Sequence, residues 1–368
     1  MHLLVFNCHE AWVYQLHALD RALDIVVGLD GHHASGWDDR MRPLPPRSRL
    51  LSLGQARQEA RSYDAVICHN LTDLLESTGI EGPRLLVVHS TFEGRKATEG
   101  ADVPLDQLRA KIRQYLALVG GHAIAVSEMK CVEGFPDQVV TAGVDPDDYP
   151  AWRGDLAAGL RIANQVGQKR LVLAWDLHEA AFAGLPVTLI GHNPDLPGVA
   201  PARDWDDLKA QLARHRFFIH TADPRYEDGF NMAMLEAMAA GLPVIGNRHP
   251  SSPIRHGIDG FLADEPSELR THAERLLGDR DLAARLGAAA RETAARRFHS
   301  RRFARSLHQA IERSRREGKE GGKRPHNRVT GGNEGATNAR TSSPGRGSKS
   351  IAPAQPTPTH VSTRKLWL

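Results

Sequence analysis

A single acidic residue interrupts an otherwise apolar, helix-like segment of this chain. Residues 231–240 read Asn-Met-Ala-Met-Leu-Glu-Ala-Met-Ala-Ala, and Glu236 is the only ionisable residue among them. A helix that is apolar nearly all round is typical of the protein interior. Because an unpaired buried carboxylate costs several kcal/mol, Glu236 needs a partner. That partner is either a cation of the protein or the hydroxyl groups of a ligand.

A second carboxylate, Asp228, lies eight residues earlier, where a loop passes into this helix. The two acids can therefore contact one bound molecule at different ends. The positive end of the helix and its free amides favour a phosphate group. This phosphate seat, which needs no metal, is predicted at Gly229, Phe230, Asn231 and Met232. The alternative is structural, with Asp228 capping the helix and Glu236 paired with a buried arginine.

Three Asp-x-Asp pairs resemble the carboxylate pairs that hold a divalent cation on a diphosphate. They begin at Asp145, Asp204 and Asp279, the first within a proline-bearing segment and the others before helix-like segments. Aspartate is a preferred residue at helix N-caps, so we interpret all three as caps or solvated turns. The sequence therefore predicts no metal and no cofactor.

Short apolar runs of strand length alternate with longer helix-like segments through most of the chain. This rhythm is typical of parallel sheets covered by helices, so the predicted fold class is α/β. In the first half, strands are expected at residues 3–6, 24–27, 65–68, 85–89, 123–126 and 139–142. Ligands of such sheets bind beyond the carboxyl ends of the strands. The expected polar rim is formed by Asn7, His9, His69, Asn70, His89 and Ser127.

The same rhythm starts again in the second half of the chain. Strands are expected there at residues 160–163, 187–190, 217–220, 244–246 and 260–262. Between the halves, Gly143 to Pro150 has the proline, glycine and aspartate content of a linker, so we place a domain boundary at residue 148. Two such sheets facing each other form an interdomain cleft. Amphipathic helices are expected from residue 269 to residue 316.

The net positive charge of the chain comes from its C-terminal end. Residues 317–368 hold nine basic and three acidic residues, which leaves residues 1–316 with a net charge of −3. This mildly acidic body argues against a dedicated nucleic-acid-binding protein. The last 52 residues lack hydrophobic periodicity and predict a disordered basic tail, residues 317–368.

The cysteines and the apolar runs indicate a cytoplasmic protein. Cys8, Cys68 and Cys131 are odd in number, widely spaced and without the spacing of zinc ligands, so we expect reduced thiols. The first residues do not resemble a signal peptide. Nowhere do about 18 apolar residues run together, so no membrane span is expected.

The segment from Glu227 to Ile245 is similar to the signature of retaining GT-B glycosyltransferases, particularly family four, also called group 1. In that family a Glu-Gly-Phe-Gly stretch is followed by a second Glu and by Ala-Met-Ala-x-Gly-x-Pro-Val. Supporting matches are Val-Ser-Glu at 126–128, Gly-Val-Asp-Pro at 143–146 and Asp-Gly-Phe-Leu at 259–262. The resemblance covers roughly residues 60–305.

This resemblance implies two Rossmann-like doubly wound domains. Residues 1–148 would bind the acceptor and residues 149–295 the nucleotide sugar, and residues 296–316 would form a closing helix that returns to the first domain. In the family, the second Glu holds the ribose hydroxyls and the first acidic position faces the donor sugar. These roles are implied for Glu236 and for Asp228, which is one methylene shorter than the usual Glu.

The resemblance also implies further site residues. Relatives neutralise the diphosphate with an Arg and a Lys, where this chain has Asn164 and Lys169, and Arg170 is expected to replace the missing charge. A surface turn is the alternative. His89 matches a histidine near the donor sugar and is the implied catalytic histidine. His9 and Glu10 stand at the acceptor loop and are interpreted as acceptor contacts, with helix capping as the alternative.

The predicted function is metal-independent, retaining transfer of a sugar from a nucleoside-diphosphate sugar to an acceptor hydroxyl on a glycan, lipid or small molecule. The alternatives are a catalytically silent GT-B protein that binds a nucleotide sugar or glycan, and a sugar-nucleotide epimerase. The predicted location is cytoplasmic. The basic helix residues Arg109, Lys111 and Arg113 are interpreted as a solvated helix face, with peripheral contact to the inner membrane face as the alternative.

Overall fold

The computed structural model describes residues 1–29, 36–100 and 102–321, with side chains left out at 317–321. The predicted disordered tail lies outside the described residues, apart from the backbone of its first five. The strands are β1 (His2–Phe6), β2 (Ala22–Val26), β3 (Ser48–Leu51), β4 (Ala65–Cys68), β5 (Arg84–Val88), β6 (His122–Ala125), β7 (Gln138–Val139), β8 (Leu156–Ile162), β9 (Val187–Ile190), β10 (His215–His220), β11 (Val244–Gly246) and β12 (Gly260–Leu262).

The α-helices cover both sheets. They are α1 (Glu10–Tyr14), α2 (Leu53–Gln58), α3 (Leu71–Glu76), α4 (Phe92–Glu99), α5 (Leu105–Leu118), α6 (Val166–Lys169), α7 (Trp175–Phe182), α8 (Trp205–Arg214), α9 (Met232–Ala239), α10 (Pro266–Gly278), α11 (Arg280–Arg297) and α12 (Ser300–Gly321). Short 3₁₀ segments span Gln15–Leu19, Glu128–Glu133 and Pro146–Asp148. None of the helices described is both long enough and apolar enough to cross a bilayer.

The strands form two entirely parallel sheets. The first has the order β3-β2-β1-β4-β5-β6-β7 and the second the order β12-β11-β10-β8-β9. The central strand β1 is apolar without alternation, and Leu3 to Phe6 are fully buried because helices cover both faces of the sheet. The predicted α/β fold with two Rossmann-like sheets is confirmed.

Two strand predictions differ from the structure at the edges of the first sheet. Strand β3 was not expected, because its residues are mostly exposed and form no continuous apolar run. The strand expected at residues 139–142 is shortened to Gln138–Val139. Edge strands are buried on fewer sides than central strands, so their sequence pattern is weaker.

The linker between the two sheets is fixed to the junction between α11 and α12. The amide of Val144 donates to the carbonyl of Phe298 at 2.8 Å, and the amide of Ser300 donates to the carbonyl of Val144 at 3.0 Å. A Cβ on Gly143 would lie 2.8 Å from the Cα of Ser300. Because real Cβ contacts are never that short, this approach requires glycine.

Helix α12 packs on the first sheet, although the chain reaches it from the second domain. Phe303, Leu307 and Ile311 are buried in the same cluster as Leu3 and Val5 of β1. The segment predicted as a closing helix, residues 296–316, differs in its bounds. Helix α11 includes its first two residues, and α12 begins at Ser300 and continues to Gly321.

We expect Leu307→Ala to lower the free energy of unfolding of the first domain by about 2–5 kcal/mol, because the side chain is fully buried in the core of that domain. Denaturant unfolding followed by a probe in the first domain measures this effect. The neighbouring exposed His308 supplies the matched control, His308→Ala. Equal effects of the two substitutions would show that α12 does not belong to this core.

Candidate functional site

The loop before helix α9 is held by side chains other than the predicted ones. The side-chain oxygen of Asn231 accepts a hydrogen bond from the amide of Met234 at 2.9 Å, so Asn231 caps the helix and Asp228 does not. The amide of Gly229 donates to the hydroxyl of Ser251 at 2.8 Å. Of the predicted phosphate seat, Gly229 is thus engaged, while Phe230 and Met232 are half-buried and Asn231 is exposed at the positive end of the helix.

Glu236 is paired with an arginine from the first domain. Arg42 forms an ion pair and hydrogen bond with the Glu236 carboxylate, and the side chains are 4% and 7% exposed respectively. The guanidinium also lies over the ring of Trp205, 4.4 Å from its centroid. The amide of Trp205 donates to the carbonyl of Arg40 at 2.8 Å, which docks the Arg42 segment on the second domain. The structure therefore satisfies Glu236 across the domain boundary.

Asp228 is also satisfied by first-domain groups. The hydroxyl of Ser127 lies 2.8 Å from both oxygens of the Asp228 carboxylate, and the ammonium of Lys130 lies 3.3 Å from one of them. Lys130 is fully buried and also pairs with Glu227 at 2.8 Å. Because Ser127 follows β6, the end of that strand meets the loop that precedes α9. Both predicted carboxylates thus face the boundary between the domains.

The predicted diphosphate cations have different surroundings. Lys169, at the end of α6, is half-buried, and burial lowers the pKa of its ammonium while nearby Glu227 opposes that shift. Arg170 is exposed and pairs with Asp176 and Glu179. These local ion pairs already neutralise its charge, and its role as the replacement cation stays a prediction. Asn164 accepts a hydrogen bond from the amide of His192 at 2.8 Å, a structural contact.

The first-domain histidine predicted to be catalytic lies on the polar rim beside another ring. Nε2 of His89 is 2.9 Å from Nδ1 of His69, which follows the neighbouring strand. Trp12 packs edge-on against both rings. Burial lowers the pKa of His89 to about 3, with smaller contributions from His9 and Lys130. The ring is therefore neutral at physiological pH, so it can orient a hydroxyl group but carries no charge.

The two predicted acceptor contacts each have a structural partner. Nδ1 of His9 accepts a hydrogen bond from the amide of Trp12 at 3.2 Å, so His9 caps α1. The carboxylate of Glu10 accepts one from the amide of Asp38 at 3.2 Å. His9 is nevertheless exposed. The capping alternative describes the observed contacts, and a role in acceptor binding stays a prediction.

The three Asp-x-Asp pairs do not form carboxylate clusters at the domain boundary. Asp145 caps the 3₁₀ segment of the linker, Asp204 caps α8 and Asp279 caps α11, as the helix-cap interpretation predicted. In the part of the chain that the structure describes, the group of three metal-ligand side chains that comes together is instead Cys8, His69 and His89.

The basic residues considered for membrane contact are partly committed within the protein. Arg109 forms ion pairs with Glu93, Asp106 and Glu133, so its charge is not available to a lipid surface. Lys111 and Arg113 are exposed on α5. Membrane contact through this helix stays a prediction that these ion pairs do not test.

A cavity of about 30 Å³ lies between the domains beside Arg42 and Glu236. Its other walls include Tyr14, Tyr149 and Trp205. Ligand sites for molecules of nucleotide size typically need about 300–1,000 Å³. The described conformation is therefore closed, and a ligand of that size needs the domains or the Arg42 segment to move.

Comparison with known proteins finds a family match within the second domain. Residues 158–279 match the model of the family Glycosyl transferases group 1. This match contains Lys169, Asp228 and Glu236. The chain has the GT-B fold, and most of its second domain is similar to the group 1 glycosyltransferases.

Individual relatives resemble this GT-B chain over different extents. The N-acetyl-alpha-D-glucosaminyl L-malate synthase of Bacillus anthracis is 35% identical over 81 residues, which is 21% of this chain and 21% of that protein. The crystal structure of Anabaena HepE with UDP-glucose has a TM-score of 0.60 at 16% identity and covers 85% of this chain and 100% of its own. TarM of S. aureus has a TM-score of 0.53 at 15% identity, and the match spans 70% of this chain and 58% of TarM.

Sequence reasoning missed the first-domain residues that face the second domain. Arg42 lies in a Met-Arg-Pro loop with no motif of its own, and Lys130 lies in a short 3₁₀ segment. The sequence indicated only that Glu236 needs a partner, because a lone carboxylate in an apolar helix requires a hydrogen-bond donor. Nothing in the local sequence indicates which of the many arginines of the chain supplies it.

We expect Arg42→Met and Glu236→Met each to lower the free energy of unfolding by about 3–5 kcal/mol, because each leaves one buried charge without its partner. The double substitution removes both charges, so its effect should be smaller than the sum of the single effects. Denaturant unfolding of the four proteins measures this coupling. Arg40→Met, which removes an exposed partner of Asp38, is the matched control with little expected effect. Additive effects at Arg42 and Glu236 would contradict the pairing.

Proposed function

We propose that this protein is a metal-independent, retaining glycosyltransferase. It moves a sugar from a nucleoside-diphosphate sugar on the second domain to an acceptor hydroxyl at the rim of the first domain. The observation that carries this proposal is the placement of Asp228 and Glu236. These two buried acids lie eight residues apart around the start of α9, within the group 1 match, and both face the domain boundary.

Glu236 is assigned to the ribose of the donor. In the closed conformation its carboxylate accepts a hydrogen bond from the guanidinium of Arg42. A ribose diol offers two hydroxyl donors and can replace that partner without leaving the acid unsatisfied. Binding of a donor therefore requires Arg42 to move away from Glu236.

Asp228 is assigned to the donor sugar. Its present partners are the hydroxyl of Ser127 and the ammonium of Lys130. A sugar hydroxyl supplies the same kind of donor as Ser127. Because the side chain is one methylene shorter than glutamate, the sugar must approach the loop more closely than it would with glutamate, and this feature bears on which sugar is accepted.

Lys169 is assigned to the diphosphate. It is half-buried close to Glu227, on the side of the second domain that carries the loop before α9. A fixed cation stabilises the charge that develops on the leaving diphosphate, which is commonly the largest electrostatic contribution to such a reaction. The ammonium of Lys169 in this position neutralises the diphosphate, as a metal ion held by an Asp-x-Asp pair does in metal-dependent sugar transferases.

The catalytic cycle includes domain opening. The cavity of about 30 Å³ beside Arg42 cannot hold a nucleotide sugar. Closure after binding excludes water and brings the acceptor-side residues, including His89, towards the donor. In this proposal the departing phosphate assists attack on the same face of the sugar, so no enzymic nucleophile is needed and the anomeric configuration is retained.

The relatives support the donor class. HepE structures contain UDP, UDP with glucose, and UDP-glucose, and the TarM structure contains UDP, alpha-GlcNAc-glycerol and Fondaparinux. These ligands are known for those proteins. They favour a uridine diphosphate sugar and a glycan acceptor here, and they make UDP the first probe to use.

We expect Glu236→Ala to weaken UDP binding by about 10–100-fold, since hydrogen bonds to a charged group contribute about 1.5–3 kcal/mol. Calorimetric titration with UDP and with its 2′,3′-dideoxy analogue tests the assigned partner. Wild-type protein should distinguish the two ligands by a similar factor, and Glu236→Ala should not distinguish them. If both proteins prefer UDP equally, Glu236 does not hold the ribose.

We expect Lys169→Ala to lower kcat about 10²–10³-fold, the typical effect of removing one group that stabilises a developing anion. Release of free nucleoside diphosphate in the presence of pooled acceptors measures turnover. Arg170→Ala is the matched control, because this adjacent cation is bound to Asp176 and Glu179 and should leave turnover within a few-fold. The opposite ranking would overturn our assignment of the diphosphate cation.

The same assay separates transfer from the two alternatives. A silent binding protein would bind UDP without releasing product from a donor, and an epimerase would change the sugar with donor alone. The silent alternative draws on Asp228 and Asn164, which stand where relatives have Glu and Arg. Donor-dependent glycosylation of an acceptor would exclude both.

A further inference from the structure

Three metal-binding types of side chain meet at the rim of the first sheet. Cys8, His69 and His89 follow β1, β4 and β5, which are neighbours in the sheet. Because parallel strands end at the same edge, the topology brings together residues that are 61 and 20 positions apart in the chain. One potential ligand atom from each lies within 4.8 Å of the other two.

The donor set selects the class of cation. One thiolate sulfur and two imidazole nitrogens suit Zn²⁺ and similar borderline cations, whereas Mg²⁺ and Ca²⁺ prefer oxygen. Tetrahedral zinc bond lengths correspond to separations between ligand atoms of about 3.3–3.6 Å. The two nearest histidine nitrogens are 2.9 Å apart and share a hydrogen bond, so a cation bound between them would replace that bond and separate the nitrogens by about half an ångström.

The charged groups around these three side chains are compatible with a bound cation. Asp73 is fully buried and acts electrostatically on Cys8, and one of its oxygens accepts a hydrogen bond from the amide of His69 at 2.8 Å. Lys130, the cation that acts on His89, is compensated by its ion pairs with Glu227 and Asp228. The local charge therefore does not oppose a bound divalent ion.

The cluster is accessible from one side. His69 is buried, whereas Cys8 and His89 are half-buried, which leaves one side of the cluster open.

We propose that Cys8, His69 and His89 form a binding site for one zinc-class divalent cation at the rim of the first domain. Three protein ligands leave a fourth position for water or a ligand, as in exchangeable and catalytic zinc sites. The site is separate from the diphosphate seat and is not needed for transfer. If the proposed function is correct, a bound ion occupies the ring nitrogen of His89 and makes zinc a reversible inhibitor.

Cobalt(II) titration of the full-length protein tests the site directly, without any assay of transfer. We expect one Co²⁺ per chain, with a thiolate-to-cobalt charge-transfer band and the intense visible bands of a tetrahedral ion. Zn²⁺ should abolish these bands by displacement, and Mg²⁺ should not. A weak spectrum without the charge-transfer band would overturn the proposal.

Cysteine substitutions identify the sulfur ligand. Cys8→Ser should lose the charge-transfer band, and Cys131→Ser, which removes another half-buried free thiol, should retain it. His69→Gln should weaken Co²⁺ binding at least tenfold, because one of the three protein ligands is lost. A band that persists in Cys8→Ser or disappears in Cys131→Ser would refute this ligand set.

Wild-type protein provides a test that does not depend on folding of the variants. Zn²⁺ should slow alkylation of Cys8 and leave that of Cys131 unchanged, as measured by mass spectrometry of the peptides. Equal alkylation of Cys8 with and without Zn²⁺ would overturn the site. Zinc inhibition of transfer that EDTA reverses is a separate readout, so failure of the proposed function leaves the metal measurements interpretable.

Discussion

The structure depends on the requirement that a buried carboxylate be neutralised by a partner. Helix α9 is apolar except for Glu236, and its burial takes that acid out of water. Arg42 supplies the compensating charge from the other domain, beneath the ring of Trp205. A contact that satisfies an acid of one domain with a cation of the other also holds the two domains together. The same groups therefore determine both the closed conformation and the chemistry available at the boundary.

In this conformation, polar side chains of the first domain, and not apolar ones, cover the two acids of the second domain. Arg42 and Ser127 donate hydrogen bonds to the two acids. In the proposed function, hydroxyls of the donor ribose and sugar take their places, so neither carboxylate is left without a hydrogen-bond donor. Backbone hydrogen bonds tie the linker residue next to Gly143 to the junction between α11 and α12.

The parallel topology of the first sheet has a second consequence. It places the residues that follow successive strands at one edge, so Cys8, His69, His89 and Ser127 lie along one rim although they are far apart in sequence. Ser127 faces the second domain, whereas the thiol and the two imidazoles face one another. The rim of the first sheet thus carries two kinds of groups. Ser127 contacts the second domain, and the cluster of Cys8, His69 and His89 has the donor atoms of a cation site.

The sequence determined the α/β class, most strands of both sheets, the caps at the three Asp-x-Asp pairs and the need of Glu236 for a partner, because apolar periodicity and capping are local properties. The spacing of Asp228 and Glu236 also led to the prediction that both acids contact one bound molecule. Only the tertiary structure decided that Arg42 meets Glu236, that Ser127 and Lys130 meet Asp228, that Arg170 turns to Asp176 and Glu179, and that Cys8 joins two histidines. The pairs of Arg170 are local, but the other pairings join residues up to 194 positions apart, and no local pattern encodes those because they arise from strand order and domain packing.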